Sequence, residues 1–156
     1  GSIWHIHGAK RILGDLMKEN RIYLDHIGIA CNDLQEAGRF WQILGLLQGD
    51  NDEVVSDQGV KVRFFSTSEN DPNNPRIELL QPLGEDTPIG KFLRSRGEGV
   101  QQVCFRVDDL VSMISLLMDN GIIMIDEVPR KGSHDTSIAF VHPKSTGGVL
   151  VELCQS

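Results

Sequence analysis

Apolar and polar residues follow a pattern that occurs twice along the chain. Residues 24–46 and 100–122 align without a gap, 76 positions apart. Each segment reads as an apolar strand, an acidic residue that begins a helix, an amphipathic helix and a glycine suited to the left-handed position after a helix. The repeat predicts two similar modules in one chain. Its matching positions are Asp33 with Asp109, Leu34 with Leu110, and Gly45 with Gly121.

Each half also ends on a similar apolar strand. Residues 76–82 resemble residues 149–156, and Glu78 corresponds to Glu152. Between the helix and this closing strand, further strands are expected at 60–65 and 137–141, with weaker ones near 53–55 and 122–125. Each half is therefore predicted to be a βαβββ module.

These elements predict a single α+β domain over residues 1–156, which is an ordinary length for one domain. Module 1 spans about 22–82 and module 2 about 100–156. The linker at 83–99 carries a short helix around 89–96. Residues 9–20 predict an additional amphipathic helix at the N-terminus. We expect the two modules to form a curved mixed sheet, a cup with the helices outside.

Composition narrows the class of protein. Apolar residues make up 40% and charged residues 24% of the chain, as is usual for soluble globular proteins. The net charge of −7 argues against nucleic acid as a partner. No apolar stretch approaches the about 20 residues of a membrane span. Cys31, Cys104 and Cys154 lie in apolar runs, which predicts reduced thiols and a cytoplasmic location.

Alternation along the strands places four polar side chains on one face of the sheet. His26 shares a face with Gly28 and Ala30, while Asp25 is expected on the opposite face. Gln102 occupies the position equivalent to His26 in the repeat. Glu78 and Glu152 each lie between apolar residues that should pack under the helices. The four side chains should therefore converge inside the cup.

Two carboxylates within apolar strands are costly to bury without a counter-charge. A divalent metal ion bound by His26, Glu78, Gln102 and Glu152 would supply one. One nitrogen and three oxygen donors suit Co²⁺, Ni²⁺, Mn²⁺ or Mg²⁺, and Zn²⁺ is possible. Each residue taken alone is more commonly structural, as a core histidine, an edge-strand glutamate or a surface glutamine. The repeat symmetry of the set favours the metal site.

Several motifs resemble those of methylmalonyl-CoA epimerases, and more distantly glyoxalase I, within the vicinal oxygen chelate superfamily. They are LDHIGIAC, QGVKVRFF, IELLQPLGEDTPIGKFLRSRGEGV and FVHPKSTGGVLVEL, and the resemblance covers residues 24–155. It implies paired βαβββ modules, a divalent metal in the cup, an acyl-CoA substrate and a homodimer.

The resemblance also implies roles for individual residues. His26 matches the family's first metal ligand, Glu78 the second, and Glu152 the last. The family usually has two histidines where this chain has Gln101 and Gln102, so Gln102 is the third expected ligand, through its weaker amide oxygen. The implied reaction moves a proton at the carbon between a thioester and a carboxylate. Glu152 is one predicted acid/base.

The second acid/base position of some relatives falls on Val62, which cannot transfer a proton. Glu78 is therefore the remaining catalytic candidate. Lys144 and Ser145 either contact substrate phosphate or carboxylate, or simply belong to a glycine-rich turn. His134 and His142 are expected to be structural.

Other functions remain open at this point. A lactoylglutathione-lyase-like enzyme uses a similar four-ligand metal site. A non-catalytic small-molecule-binding member of the same fold is compatible with the loss of both histidines. An iron-dependent dioxygenase is disfavoured, because that chemistry needs two histidines and a carboxylate and only His26 is present.

Overall fold

The computed structural model describes residues 20–156. The helix expected at residues 9–20 lies outside the described residues except for Asn20, which is not helical. Among residues 20–156, no helix is long and apolar enough to cross a membrane.

The described chain forms one nine-stranded mixed sheet and three α-helices. The strands are β1 (Ile22–Ala30), β2 (Leu47–Gln48), β3 (Glu53–Val55), β4 (Val60–Ser66), β5 (Arg76–Pro82), β6 (Gly99–Val107), β7 (Arg130–Lys131), β8 (Ser137–Val141) and β9 (Val151–Gln155). The helices are α1 (Leu34–Leu44), α2 (Pro88–Arg96) and α3 (Leu110–Asp119). The α+β architecture predicted from the repeat is confirmed.

The sheet repeats one pairing pattern in each half. Its strand order is β2-β4-β5-β1-β6-β9-β8-β7, and β3 also pairs with β4. In the first half β1 is parallel to β5, and in the second half β6 is parallel to β9. The halves join through the antiparallel pair of β1 and β6. The four strands that carry His26, Glu78, Gln102 and Glu152 are thus consecutive at the centre of the sheet.

Two helices cover the outer face of the sheet, and both begin at an aspartate. The Asp33 carboxylate accepts a hydrogen bond from the backbone N–H of Glu36 at 2.9 Å, and Asp109 accepts one from Ser112 at 3.0 Å. Such caps satisfy backbone donors that a helix start leaves unpaired. Helix α1 packs over Phe65 and Leu79 and helix α3 over Val107, Ala139 and Leu153.

The linker helix α2 lies on the inner face instead. Ile89 packs in one cluster with Val62, Phe64 and Leu80, whose side chains alternate with those facing α1. The Thr87 hydroxyl caps this helix by accepting a hydrogen bond from the Gly90 N–H at 3.1 Å. Helix α2 therefore forms part of the wall around the predicted site.

The prediction of a weak strand near 122–125 is wrong. Only an isolated bridge between Met124 and Val141 forms there, and β7 occupies the sheet edge instead. The Ile123 N–H donates to the Ser145 hydroxyl, while the N–H groups of Ile125 and Asp126 both donate to the Phe140 carbonyl. These contacts replace the regular ladder that a strand requires.

Two β-bulges interrupt the β1–β6 pairing. The pairing skips Asp25 in β1 and Gln101 in β6, which are again 76 positions apart. A bulge disrupts simple alternation, so two successive side chains can turn toward one face. The sequence-based placement of Asp25 on the opposite face is therefore wrong: Asp25 lies beside His26.

Candidate active site

The four predicted residues converge around the imidazole of His26 on the inner face. All four are between 2% and 5% exposed. The Glu152 Oε1 lies 3.3 Å from His26 Nε2 and accepts a hydrogen bond from Gln102 Nε2 at 2.6 Å. The same Gln102 nitrogen is 3.2 Å from His26 Nε2. These distances bring atoms from both halves of the repeat into one buried contact.

The two glutamates lie at different nitrogens of the ring. Glu78 Oε2 is 3.1 Å from His26 Nδ1, whereas Glu152 and Gln102 are at Nε2. The imidazole therefore separates the carboxylates and reduces their repulsion.

Two further residues complete the cluster. Asp25 Oδ2 is 2.8 Å from His26 Nδ1, and Arg76 Nη2 donates to both Asp25 at 2.9 Å and Glu78 at 2.8 Å. Arg76 precedes Glu78 by two positions, so strand alternation could have identified it. Asp25 could not be found that way because of the bulge. We call Asp25, His26, Arg76, Glu78, Gln102 and Glu152 the polar cluster.

The polar cluster favours positive charge at its centre. Burial alone would lower the pKa of His26, but the charges of Glu78 and Glu152 and the hydrogen bond to Asp25 raise it to about 10. Burial raises the pKa of Glu78, although His26 and Arg76 oppose that shift. Both directions favour a proton held within the cluster at neutral pH.

The donor set of the polar cluster fits a divalent cation. It contains an imidazole, an amide oxygen that rotation of the Gln102 side chain would expose, and carboxylates. A ligating imidazole is neutral, so a bound ion would displace the proton from His26. The three ionised carboxylates and one guanidinium then leave a net charge of −2. A dication would balance this charge.

Cys104 offers a second grouping of potential metal ligands. It pairs directly with His26 across β1 and β6, and donor atoms of Asp25, His26 and Cys104 lie within 4.8 Å of one another. Burial, together with the neighbouring Cys154 and Glu152, holds the pKa of the Cys104 thiol far above its usual value. The thiol is therefore neutral and packs as a small apolar group, so the oxygen-rich set is the better candidate.

Gly28 leaves the space that Gln102 fills. A Cβ atom at position 28 would lie 2.6 Å from Gln102 Cγ and 3.0 Å from Leu80 Cδ1. We expect Gly28→Ala to displace Gln102 and lower the free energy of unfolding by about 1–3 kcal/mol, as measured by denaturant titration. The matched control is Gly49→Ala, whose Cβ would come no closer than 3.4 Å to its neighbours. Equal stability of the two variants would contradict this packing.

A cavity of about 150 Å³ reaches the polar cluster at Gln102. Its wall is largely apolar, formed by Val60, Leu80, Ile89, Phe140 and Leu150. A shallower depression shares Gln101 and Gln102 with it and extends past Phe92 and Arg96. Such a largely apolar cavity with a few polar groups at one end is typical of small-molecule sites.

The other residues considered from the sequence have mainly structural contacts. Val62 is buried on the inner face, and its apolar side chain cannot transfer a proton. His142 Nδ1 accepts a hydrogen bond from the Lys144 N–H at 3.1 Å, and the Ser145 hydroxyl accepts one from Ile123. The His134 ring stacks on Phe64 with centroids 4.5 Å apart.

Known proteins resemble this chain over most of its length. A family model described as the glyoxalase/bleomycin resistance protein/dioxygenase superfamily matches residues 25–140. The mitochondrial methylmalonyl-CoA epimerase of Homo sapiens is 34% identical over 134 residues, covering 85% of this chain and 73% of the human protein. The ethylmalonyl-CoA/methylmalonyl-CoA epimerase of Cereibacter sphaeroides is 36% identical over 135 residues, covering 85% and 96% respectively.

A solved structure shows the same fold. A variant of Streptomyces coelicolor methylmalonyl-CoA epimerase in complex with 2-nitronate-propionyl-CoA superposes with a TM-score of 0.79 at 35% identity, covering 85% of this chain and 93% of that one. The repeat, the strand order and these matches all indicate the same fold over most of the chain. It therefore belongs to the glyoxalase/bleomycin resistance protein/dioxygenase superfamily and, within it, to the methylmalonyl-CoA epimerase family.

Proposed function

We propose that this protein is a metal-dependent epimerase that transfers the α-proton of a methylmalonyl-CoA-like acyl-CoA thioester. The observation that carries the proposal is the buried polar cluster at the end of an apolar cavity. The activities named for the human and bacterial relatives support the same reaction. We also propose a cytoplasmic homodimer, as expected from the sequence.

His26, Glu78, Gln102 and Glu152 would hold the metal ion. Gln102 and Glu152 already lie at His26 Nε2, whereas Glu78 would have to move from its contact with Nδ1 to join them. When bound, a divalent ion stabilises the negative charge that develops on the substrate oxygens as the α-proton leaves. Asp25 fixes the His26 ring through Nδ1, which leaves Nε2 directed toward Gln102 and Glu152. Orientation of a ligating imidazole by a carboxylate is common at metal sites.

Glu152 is the proposed base. The hydrogen bond from Gln102 fixes its carboxylate next to the residue that borders the cavity. Glu78 is the proposed second acid/base. Burial raises the pKa of Glu78. A group that delivers a proton at neutral pH needs such a raised pKa.

Hydrogen exchange at the substrate α-carbon tests this function. Methylmalonyl-CoA incubated in deuterated buffer with the protein and Co²⁺ should incorporate deuterium faster than without protein, as followed by mass spectrometry. Heat-inactivated protein with the same Co²⁺ is the control. Exchange equal to this control would overturn the proposal.

A non-catalytic acyl-CoA-binding protein is the second candidate. The observation that favours it is the orientation of Gln102, whose NH₂ group rather than its oxygen faces Glu152. This candidate predicts tight acyl-CoA binding without exchange. It also predicts substoichiometric metal in protein purified without chelators.

Replacing Gln102 with histidine is expected to strengthen metal binding. An imidazole is a stronger donor than a neutral amide for Co²⁺ and Zn²⁺. We expect Gln102→His to lower the Co²⁺ dissociation constant about tenfold, equivalent to about 1.4 kcal/mol, in calorimetric titrations. Gln58→His adds an imidazole elsewhere on the cavity wall and should leave the affinity unchanged. Unchanged or weaker binding by Gln102→His would remove Gln102 from the ligand set.

A further inference from the structure

A polar contact joins the two halves of the cup at the edges of the sheet. The His134 N–H donates to both carboxylate oxygens of Glu53, at 3.0 and 2.9 Å, and His134 Nε2 lies 3.3 Å from Glu53 Oε1. Glu53 begins strand β3 in the first half, whereas His134 follows strand β7 in the second. Nearby, Arg130 Nη2 donates to the Asp57 carbonyl at 3.4 Å. We call the turn at residues 132–136, together with its contact with Glu53, the latch.

The latch lies across the inner faces of both halves. The His134 ring stacks on Phe64 of the first half, with ring centroids 4.5 Å apart. In the second half, a Cβ atom at Gly132 would lie 2.5 Å from Ile138 Cγ2, so the backbone of the turn rests directly on that side chain. Ile138 in turn packs near Phe140, which lines the cavity. The turn therefore closes one side of the cup.

The cavity is small in this closed arrangement. Its volume is about 150 Å³. Sites for small organic molecules usually measure about 300–1,000 Å³. Gln58 and Arg130 form the part of the cavity wall beside the latch, where Arg130 contacts the residue that precedes Gln58. Because the two halves meet at this wall, movement of the latch would enlarge the cavity.

The latch is held by contacts that can break at low cost. The side chains of His134 and Glu53 remain 59% and 30% exposed, so water can replace their hydrogen bonds. The backbone favours opening as well, because His134 and Asp135 have φ angles of 51° and 58°, in the left-handed region that L-residues rarely adopt. Such conformations persist only where surrounding contacts hold them, and they are frequent in ligand clamps and switch regions.

We propose that the latch is a lid that opens to admit a ligand to the cavity and then closes over it. This inference rests on the proposed function only for the identity of the ligand. The closed lid also covers the polar cluster, because Phe64 pairs with Glu78 across the sheet and its ring lies 5.9 Å from the Arg76 guanidinium. Closure thus excludes water from the charged groups and strengthens their interactions.

The rates of ligand binding test the lid. Glu53→Ala removes the acceptor of the latch, so the open form should become more populated. The association and dissociation rate constants of methylmalonyl-CoA, measured by surface plasmon resonance, should both rise about tenfold. Asp50→Ala removes an equal charge three positions earlier, at an exposed residue, and should change neither rate. An unchanged or slower association of Glu53→Ala would overturn the proposal.

A covalent lock provides a second test, for the case that Glu53→Ala fails to fold. The double variant Glu53→Cys, His134→Cys is joined by a short, cleavable bifunctional thiol reagent. Association of methylmalonyl-CoA should slow at least tenfold in the locked protein and recover when the linker is cleaved. Wild type treated with the reagent is the control, because its three cysteines are at most 4% exposed. Equal association before and after cleavage would overturn the lid.

Amide hydrogen exchange tests the lid in the unaltered protein without a ligand. The His134 amide should exchange through local opening, at a rate independent of low denaturant concentrations, whereas the Leu79 amide in the central sheet should follow global unfolding. The same denaturant dependence for both amides would overturn the lid. A wild type that fails to bind methylmalonyl-CoA would count against the proposed function, and the amide exchange would still decide the lid.

Discussion

Glu152→Gln is expected to lower α-proton exchange by about 10²- to 10⁴-fold, even at saturating Co²⁺. Glutamine keeps an oxygen that can face a cation, but it cannot accept the α-proton. Loss of a ligand alone would be overcome by excess metal, whereas loss of a base would not. Deuterium incorporation into methylmalonyl-CoA, measured across a Co²⁺ titration, separates the two effects.

Glu78→Gln is the matched comparison, because it makes the same change on the other side of the imidazole. Glu78 lies at His26 Nδ1, on the side of the ring away from the cavity residue Gln102 at Nε2, so this variant should retain a measurable part of the exchange. If Glu78→Gln abolishes exchange while Glu152→Gln retains it, the base belongs to the first half of the repeat.

Arg76→Leu is expected to lower the free energy of unfolding by about 3–5 kcal/mol at neutral pH. The variant leaves Asp25 and Glu78 buried without the guanidinium that bridges them at 2.9 and 2.8 Å. Denaturant titration measures the loss. Arg21→Leu is the control, because Arg21 and its partner Asp108 are exposed to solvent and their pairing contributes little.

The stability deficit of Arg76→Leu should depend on pH. Burial raises the pKa of Asp25, but the hydrogen bond to His26 and the charge of Arg76 lower it below its ordinary value. A lowered pKa contributes stability above the unfolded-state pKa of about 4, and this contribution is lost as the pH falls. The difference between wild type and variant should therefore narrow in acid. A deficit independent of pH would indicate lost packing rather than lost charge.

The repeat predicted most of the fold because it has a direct structural meaning. Asp33 and Asp109 cap equivalent helices, and Glu78 and Glu152 face inward from equivalent strands. The position of α2 could not be predicted, because a short amphipathic helix fits either face of a sheet until its neighbours are known. The pattern near Ile123 failed for a similar reason, since side-chain and shared carbonyl hydrogen bonds there replace a strand ladder.

Half of the candidate site was visible in the sequence and half depended on tertiary structure. His26 and Gln102 follow from strand alternation, but Asp25 and Gln101 reach the same face only through bulges. A bulge shows no clear signal in a single sequence, because it depends on how two strands pair. Arg130 belongs to the edge strand β7, and only the folded chain places it at the cavity wall.

The strand order also has a consequence for folding. The parallel pairings join residues far apart in sequence, such as His26 with Arg76 and Cys104 with Glu152. Such pairings form slowly, because a long loop must close before any contact is gained. The carboxylates stay hydrated until the four central strands are in place, so charge burial opposes only the final steps. A ligand bound at the polar cluster therefore stabilises the fully paired sheet and none of its partly folded precursors.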